Sequence, residues 1–159
     1  SKPMSLETSA EAVQPIFPIA GRMTVSELGN SIRTILDTSQ LGTPVNVRLH
    51  WEFSELASFL QTVLTAAVEL ADLALQLEEP VWRLRRQESG RTLNLLGSDR
   101  RGRTLMITLV AEAKPQTALT IFGNHGIVRL NEGWVDPNSI TETTKEHSWA
   151  ADLQSTFGG

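Results

Sequence analysis

Hydrophobic positions along this 159-residue chain change period partway, from helical spacing to strict alternation. Thr8 and Glu11 stand at capping-box spacing, where each side chain satisfies a backbone N–H at a helix start. A short helix is therefore expected over Thr8–Gln14, ended by Pro15 and Pro18. Thr24 and Glu27 repeat that spacing ahead of Leu28, Ile32, Ile35 and Leu36, an apolar stripe that predicts a second helix over Met23–Leu36. Gly42 and Pro44 then break the chain. From Val45 to Phe53 the odd positions are apolar, while Asn46, Arg48, His50 and Glu52 alternate with them, the pattern of a half-buried strand. Ser54–Leu77 is apolar over most of a helical surface and must lie in a core or under a partner. After Pro80 the period falls to two, predicting strands at Val81–Arg86, Thr92–Leu96, Thr104–Glu112, Ala118–Phe122 and Gly126–Leu130. A turn is expected at Asp99–Gly102, and a tight reversal at Gly123-Asn124-His125-Gly126 whose glycines permit positive φ. The last residues are weakly patterned, with one amphipathic helix expected over Thr141–Leu153 and Trp149 as its anchor.

Helices and strands thus segregate, and the expected class is α+β: an open sheet covered by helices on one face. Area scaling lets a chain of this mass bury about 69% of its unfolded surface, enough for a hydrophobic core without covalent staples.

Composition narrows the function classes. Cysteine is absent, which excludes disulfide frameworks, thiolate metal sites and cysteine nucleophiles. No basic segment precedes an apolar one in the manner of a secretory leader, and no apolar run reaches 18 residues. A cytoplasmic protein, not held in a membrane, is the expectation. The net charge of −4 argues against a nucleic-acid partner, which usually calls for a basic excess. The chain begins Ser1-Lys2-Pro3 without an initiator methionine and reads as a piece of a longer protein.

Little catalytic chemistry is self-evident. There is no glycine-rich dinucleotide or phosphate loop and no serine elbow. His50, His125 and His147 are scattered without zinc-ligand spacing. Two arginine clusters, Arg83/Arg85/Arg86/Arg91 and Arg100/Arg101/Arg103, fit either anion binding or a solvated sheet face and turn. Glu69 and Asp72 lie three residues apart on the apolar helix, so they share a face. They either line a cleft or pair with Arg83 or Arg85, because unpaired buried charge is costly.

Several segments together resemble the glucose–fructose oxidoreductase / inositol dehydrogenase family of nicotinamide-dependent oxidoreductases. Lys2-Pro3-Met4-Ser5-Leu6 is similar to the family's Glu-Lys-Pro segment after the cofactor domain. Ile35-Leu36-Asp37 through Gln40-Leu41-Gly42-Thr43-Pro44 resembles the approach to its first sheet strand, which Val45–Trp51 then matches. Leu70-Ala71-Asp72-Leu73-Ala74-Leu75 resembles the end of its catalytic helix. Leu119-Thr120-Ile121-Phe122-Gly123 with Gly126-Ile127-Val128-Arg129-Leu130 is similar to its glycine hairpin. Order and spacing over residues 2–132 carry the resemblance.

The resemblance implies the family's C-terminal α+β domain, with a predominantly antiparallel sheet and no Rossmann domain in this chain. Residues 1–22 would be a remnant of the junction after the cofactor domain, 23–132 the substrate and oligomerisation domain, and 133–159 a weakly structured segment. The whole protein would be an NAD(P)-dependent oxidoreductase acting on a sugar- or polyol-like alcohol, inactive as this chain alone. The alternative is a stand-alone, degenerate binding or dimerisation module. No cofactor would bind this chain by itself; NAD or NADP would serve the longer protein. The motif positions fall on Lys2, Thr65 and Glu69, where Thr65 replaces the family's Asp and Glu69 its acid/base His. Asp72 would contact a small-molecule substrate. A homodimer is expected through the open sheet face, which carries Arg48, His50 and Glu52.

Overall fold

The computed structural model describes residues 21–38, 40–141 and 149–158. The helix expected over Thr8–Gln14, Lys2, and the first part of the helix expected over Thr141–Leu153 lie outside them. The described elements run β1 (Gly21–Met23), α1 (Val25–Leu36), β2 (Pro44–Glu52), a 3-10 turn (Ala57–Phe59), α2 (Leu60–Leu75), β3 (Val81–Arg86), β4 (Thr92–Ser98), β5 (Thr104–Val110), β6 (Gln116–Gly123), β7 (Ile127–Val135), a second 3-10 turn (Pro137–Ser139) and α3 (Ala150–Gly158).

β2 is the hub. Its alternation holds: Val47, Leu49 and Trp51, followed by Phe53, are fully buried, while Arg48, His50 and Glu52 face the other way. β2 pairs in parallel with β5 and antiparallel with β6. The seven-stranded sheet has the order β1-β7-β6-β2-β5-β4-β3. The pairs β3–β4, β4–β5 and β6–β7 are antiparallel and β1–β7 is parallel, so the sheet is predominantly antiparallel. A parallel pair needs a long crossover. Between β2 and β5 it is supplied by α2 and the β3–β4 hairpin.

The helices cover one face. α1 starts as its sequence predicts: Thr24 Oγ1 accepts from the Glu27 N–H at 3.1 Å, and Glu27 Oε1 accepts from the Thr24 N–H at 2.8 Å. α2 lies across β2 and β5 and buries Val63, Leu64, Ala67, Val68 and Ala71. It begins at Leu60 rather than Ser54, because the chain leaves β2 through the 3-10 turn, and it ends at Gln76, whose φ of 52° is left-handed. By length and composition alone Ala57–Leu75 could cross a membrane; here its apolar residues pack on the sheet. α1 packs beside α2, with Gly29 facing Leu70 and Leu73.

Three details depart from the sequence expectations. Gly21–Met23, where no strand was expected and where the helix over Met23–Leu36 was expected to begin, forms an edge strand on β7, held by Arg22–Asp136 at 2.8 Å. The region from 133 on, expected to be weakly structured, completes β7, turns at Pro137–Ser139 and carries α3. Trp51 and Thr117 fix that end of β7: Trp51 Nε1 donates to the Val135 carbonyl at 2.9 Å, and Thr117 Oγ1 accepts from the Val135 N–H at 2.8 Å. Finally, neither Gly123 nor Gly126 has positive φ. Gly123 is required because any Cβ there would collide with the Leu41 carbonyl oxygen.

Candidate functional site on the long helix

Gln61, Thr65 and Glu69 recur every fourth residue, so they form one stripe along α2, and Asp72 continues it by one further turn. The packed side of α2 takes the apolar residues, which leaves this polar stripe outward. Thr65 is exposed, and its hydroxyl donates back to the Gln61 carbonyl at 3.3 Å. A hydroxyl so placed neither orients a base nor accepts a proton at neutral pH. Glu69 is half-buried and has an interaction partner. It is the one group on the Thr65–Glu69 pair with acid/base chemistry.

Asp72 is committed structurally. One carboxylate oxygen accepts from the Leu77 N–H at 2.8 Å and thereby caps the end of α2. The other accepts from the Trp149 indole N–H at 3.1 Å. Trp149 is buried edge-on against Trp82, with ring centroids 6.2 Å apart. The pairing of Glu69 or Asp72 with Arg83 or Arg85 does not occur. Trp82 and Leu84 occupy the helix-covered face of β3, which puts Arg83 and Arg85 on the opposite face.

The second arginine cluster is also structural. Asp99 is buried and accepts from the N–H groups of Glu78, Arg101 and Arg103 at 3.1, 2.9 and 3.0 Å and from the Arg103 guanidinium at 2.7 Å. Burial alone would raise its pKa; these hydrogen bonds outweigh it and hold the carboxyl below the usual aspartate range. The same guanidinium donates to the Leu75 and Gln76 carbonyls and so satisfies the C-terminus of α2, which has no basic residue of its own in its last turn. Arg100 and Arg101 pair with Glu79 and Glu78 at 3.3 and 3.2 Å. Sequence reasoning did not single out Asp99, although its four-residue spacing from Arg103 across a glycine turn was visible.

A nicotinamide cofactor needs free backbone donors at a helix start to receive its pyrophosphate. At the starts of α1 and α2 several such donors are already engaged. At α1 the N–H groups of Thr24 and Glu27 are taken by the capping box, and that of Val25 by Ser139 Oγ at 2.9 Å. Ahead of α2 the Ala57 N–H faces the Glu112 carboxylate at 3.4 Å, a charge of the wrong sign for a phosphate. No group of three or more potential metal ligands occurs among the described residues.

No protein-family model matches the chain, and no curated protein matches it in sequence. Solved structures do match. The myo-inositol dehydrogenase of Lactobacillus casei, in complex with NAD(H) and myo-inositol, superposes with a TM-score of 0.55 at 17% identity, over 81% of this chain and 44% of that one. The myo-inositol dehydrogenase of Corynebacterium glutamicum gives 0.52 at 10%, over 76% and 40%. GenD2 from gentamicin A biosynthesis, in complex with NAD, gives 0.50 at 16%, over 68% and 36%. The fold is that of the C-terminal domain of glucose–fructose oxidoreductase / inositol dehydrogenase-type proteins. This chain spans less than half the length of those dehydrogenases. Thr65 and Glu69, two of the positions the resemblance implies, lie on α2. Lys2, the third motif position, lies outside the described residues.

Proposed function

We propose that this chain is the substrate-side domain of an NAD(P)-dependent oxidoreductase acting on a sugar- or polyol-like alcohol, inactive without its cofactor domain. The asymmetric coverage carries the reading: 81% of this chain matches 44% of an inositol dehydrogenase. The engaged donors at the starts of α1 and α2 agree with a nicotinamide nucleotide that binds elsewhere. On this reading the outward stripe of α2 faces the substrate, with Glu69 the group able to exchange a proton and Lys2 its companion from the preceding segment. Titration of the isolated chain with NADH checks the first half. Its fluorescence is expected to stay unchanged, and saturable quenching at micromolar concentration would refute the reading.

A second reading, a stand-alone module that has lost the chemistry, is favoured by Thr65, which cannot orient a base. The intact mass of the native gene product decides between them. A product about twice this size or more, in line with domain-length expectations, supports the oxidoreductase. A product near 17.5 kDa supports the module.

A further inference from the structure

His50 stands on β2, the middle strand of the sheet, and faces away from the helices. Its Nε2 lies 2.8 Å from Oε2 of Glu52 on the same strand. A carboxylate only accepts, so a neutral imidazole held there carries its proton on Nε2. Arg48 flanks His50 on the other side, which puts Arg48 and Glu52 about 13 Å apart along β2. Arg48 makes no ion pair among the described residues; its guanidinium lies over the Phe122 ring at 5.2 Å. Glu52 Oε1 has no partner among them either. The strands beside β2 bring no charge to this face: β5 presents Met106, Thr108 and Val110, and β6 presents Ala118 and Thr120. Farther out lie Arg83 and Arg85 on β3 and Arg129 on β7. Register places Ala118, His50, Thr108, Asn94 and Arg85 in one row across the face.

We infer that His50 makes dimerisation through this face sensitive to pH: a second copy docks about a two-fold axis along the His50 row while the imidazole is neutral, and is released when it takes a proton. The inference rests on the homodimer expected through this face and is independent of the oxidoreductase reading. An isologous interface needs a self-complementary surface. This axis supplies one, because residues equally far along a strand on either side of the row meet. Arg48 meets the partner's Glu52, and Glu52 the partner's Arg48. Met106, 45% exposed, meets the partner's Val110 and leaves water. An axis along β2 would instead set Arg48 against itself. Arg85 ends the row on the edge strand, where its long side chain reaches water. His50 lies on the axis, opposite the partner's His50. With both imidazoles neutral, the guanidinium and carboxylate charges beside them balance, and Glu52 Oε1 is free to receive the partner's Arg48. Protonation adds a positive charge from each copy at the axis. It also turns Glu52 toward its own strand's cation. Histidine is the side chain that changes charge between about pH 5 and 8, and charges removed from water repel strongly. Proton uptake and dimerisation therefore oppose each other, each weakening the other by the same factor.

Sedimentation velocity of the full 159-residue chain at about pH 8 and about pH 5.5 brackets the histidine range. A dimer is expected at the higher pH, with a dissociation constant at least about tenfold larger at the lower. His50→Gln keeps a donor for Glu52 and does not titrate, so it should stay dimeric at both. His50→Lys, charged throughout, should be largely monomeric at both. Arg48→Glu alone should dissociate the dimer at the higher pH, and adding Glu52→Arg should restore it. A dimer equally tight at both pH values, or one whose loss in acid persists in His50→Gln, would overturn the role of His50 while leaving the dimer standing. A swapped pair that fails to restore the dimer would overturn the axis. A wild-type chain monomeric at both pH values would remove the homodimer itself, and the inference with it.

Discussion

The indole N–H of Trp149 donates to the Asp72 carboxylate at 3.1 Å, across 77 residues of sequence. This bond ties the end of α2 to the start of α3. Trp149 also fills the space against Trp82, and Phe157 lies under the Arg86 guanidinium at 4.5 Å, so α3 seals the β3 side of the helical layer.

Trp149→Ala is expected to cost about 3–5 kcal/mol, the range for deleting a buried aromatic, while Trp149→Phe keeps much of the packing and costs about 1 kcal/mol for the lost hydrogen bond. Urea unfolding of the two variants separates packing from bonding. If Trp149→Phe is as damaging as Trp149→Ala, the hydrogen bond matters more than the packing described here.

Asp99→Asn is expected to cost about 3 kcal/mol at neutral pH, because the Arg103 guanidinium loses its buried counter-charge. The folded-state pKa of Asp99 lies below its unfolded value, so the wild-type advantage is complete above the unfolded value of about 3.9. It fades as pH falls through the folded value. Stability curves of wild type and variant should converge in acid; a gap that persists unchanged there would rule out the ionised carboxylate as its source. Arg100→Ala and Arg101→Ala, at side chains 66% and 65% exposed, should each change stability by less than about 1 kcal/mol.

Gly123→Ala should be poorly tolerated, at about 3 kcal/mol, because the clash is with the main-chain oxygen of Leu41, which cannot rotate away. Gly90→Ala offers the contrast: its Cβ meets open space, and its φ of +74° costs only about 1 kcal/mol of left-handed strain. Paired thermal melts of the two variants check the difference. Equal losses would mean that the Leu41 loop yields.

Much of this architecture is readable from alternation. β2, the capping box of α1 and the strands β3 to β7 follow from local pattern, since burial on one face imposes its period on the residues, whereas the insertion of β2 between β5 and β6 does not. β1 is invisible for the opposite reason: Gly21, Arg22 and Met23 carry no pattern, and the strand exists through pairing with residues 133–135, more than 100 positions away. The fate of Arg83 and Arg85 was legible in principle, because Trp82 and Leu84 alternate with them and must take the covered face. The stripe of α2 is legible from the resemblance, whereas the capture of Asp72 by Trp149 depends on how the C-terminal segment returns to the sheet. No local pattern announces that return.

β2 takes both its neighbours from chain that is made later: β5 begins more than 50 residues on and β6 more than 60. Its backbone donors and acceptors on the β6 side therefore stay open until synthesis has passed β6, which begins at Gln116. Such non-local pairing slows folding and prolongs the exposure of apolar strands. A nascent chain arrested before Gln116 would display Trp51 and Phe53 beside an unfilled strand edge, a substrate for chaperones and a seed for aggregation.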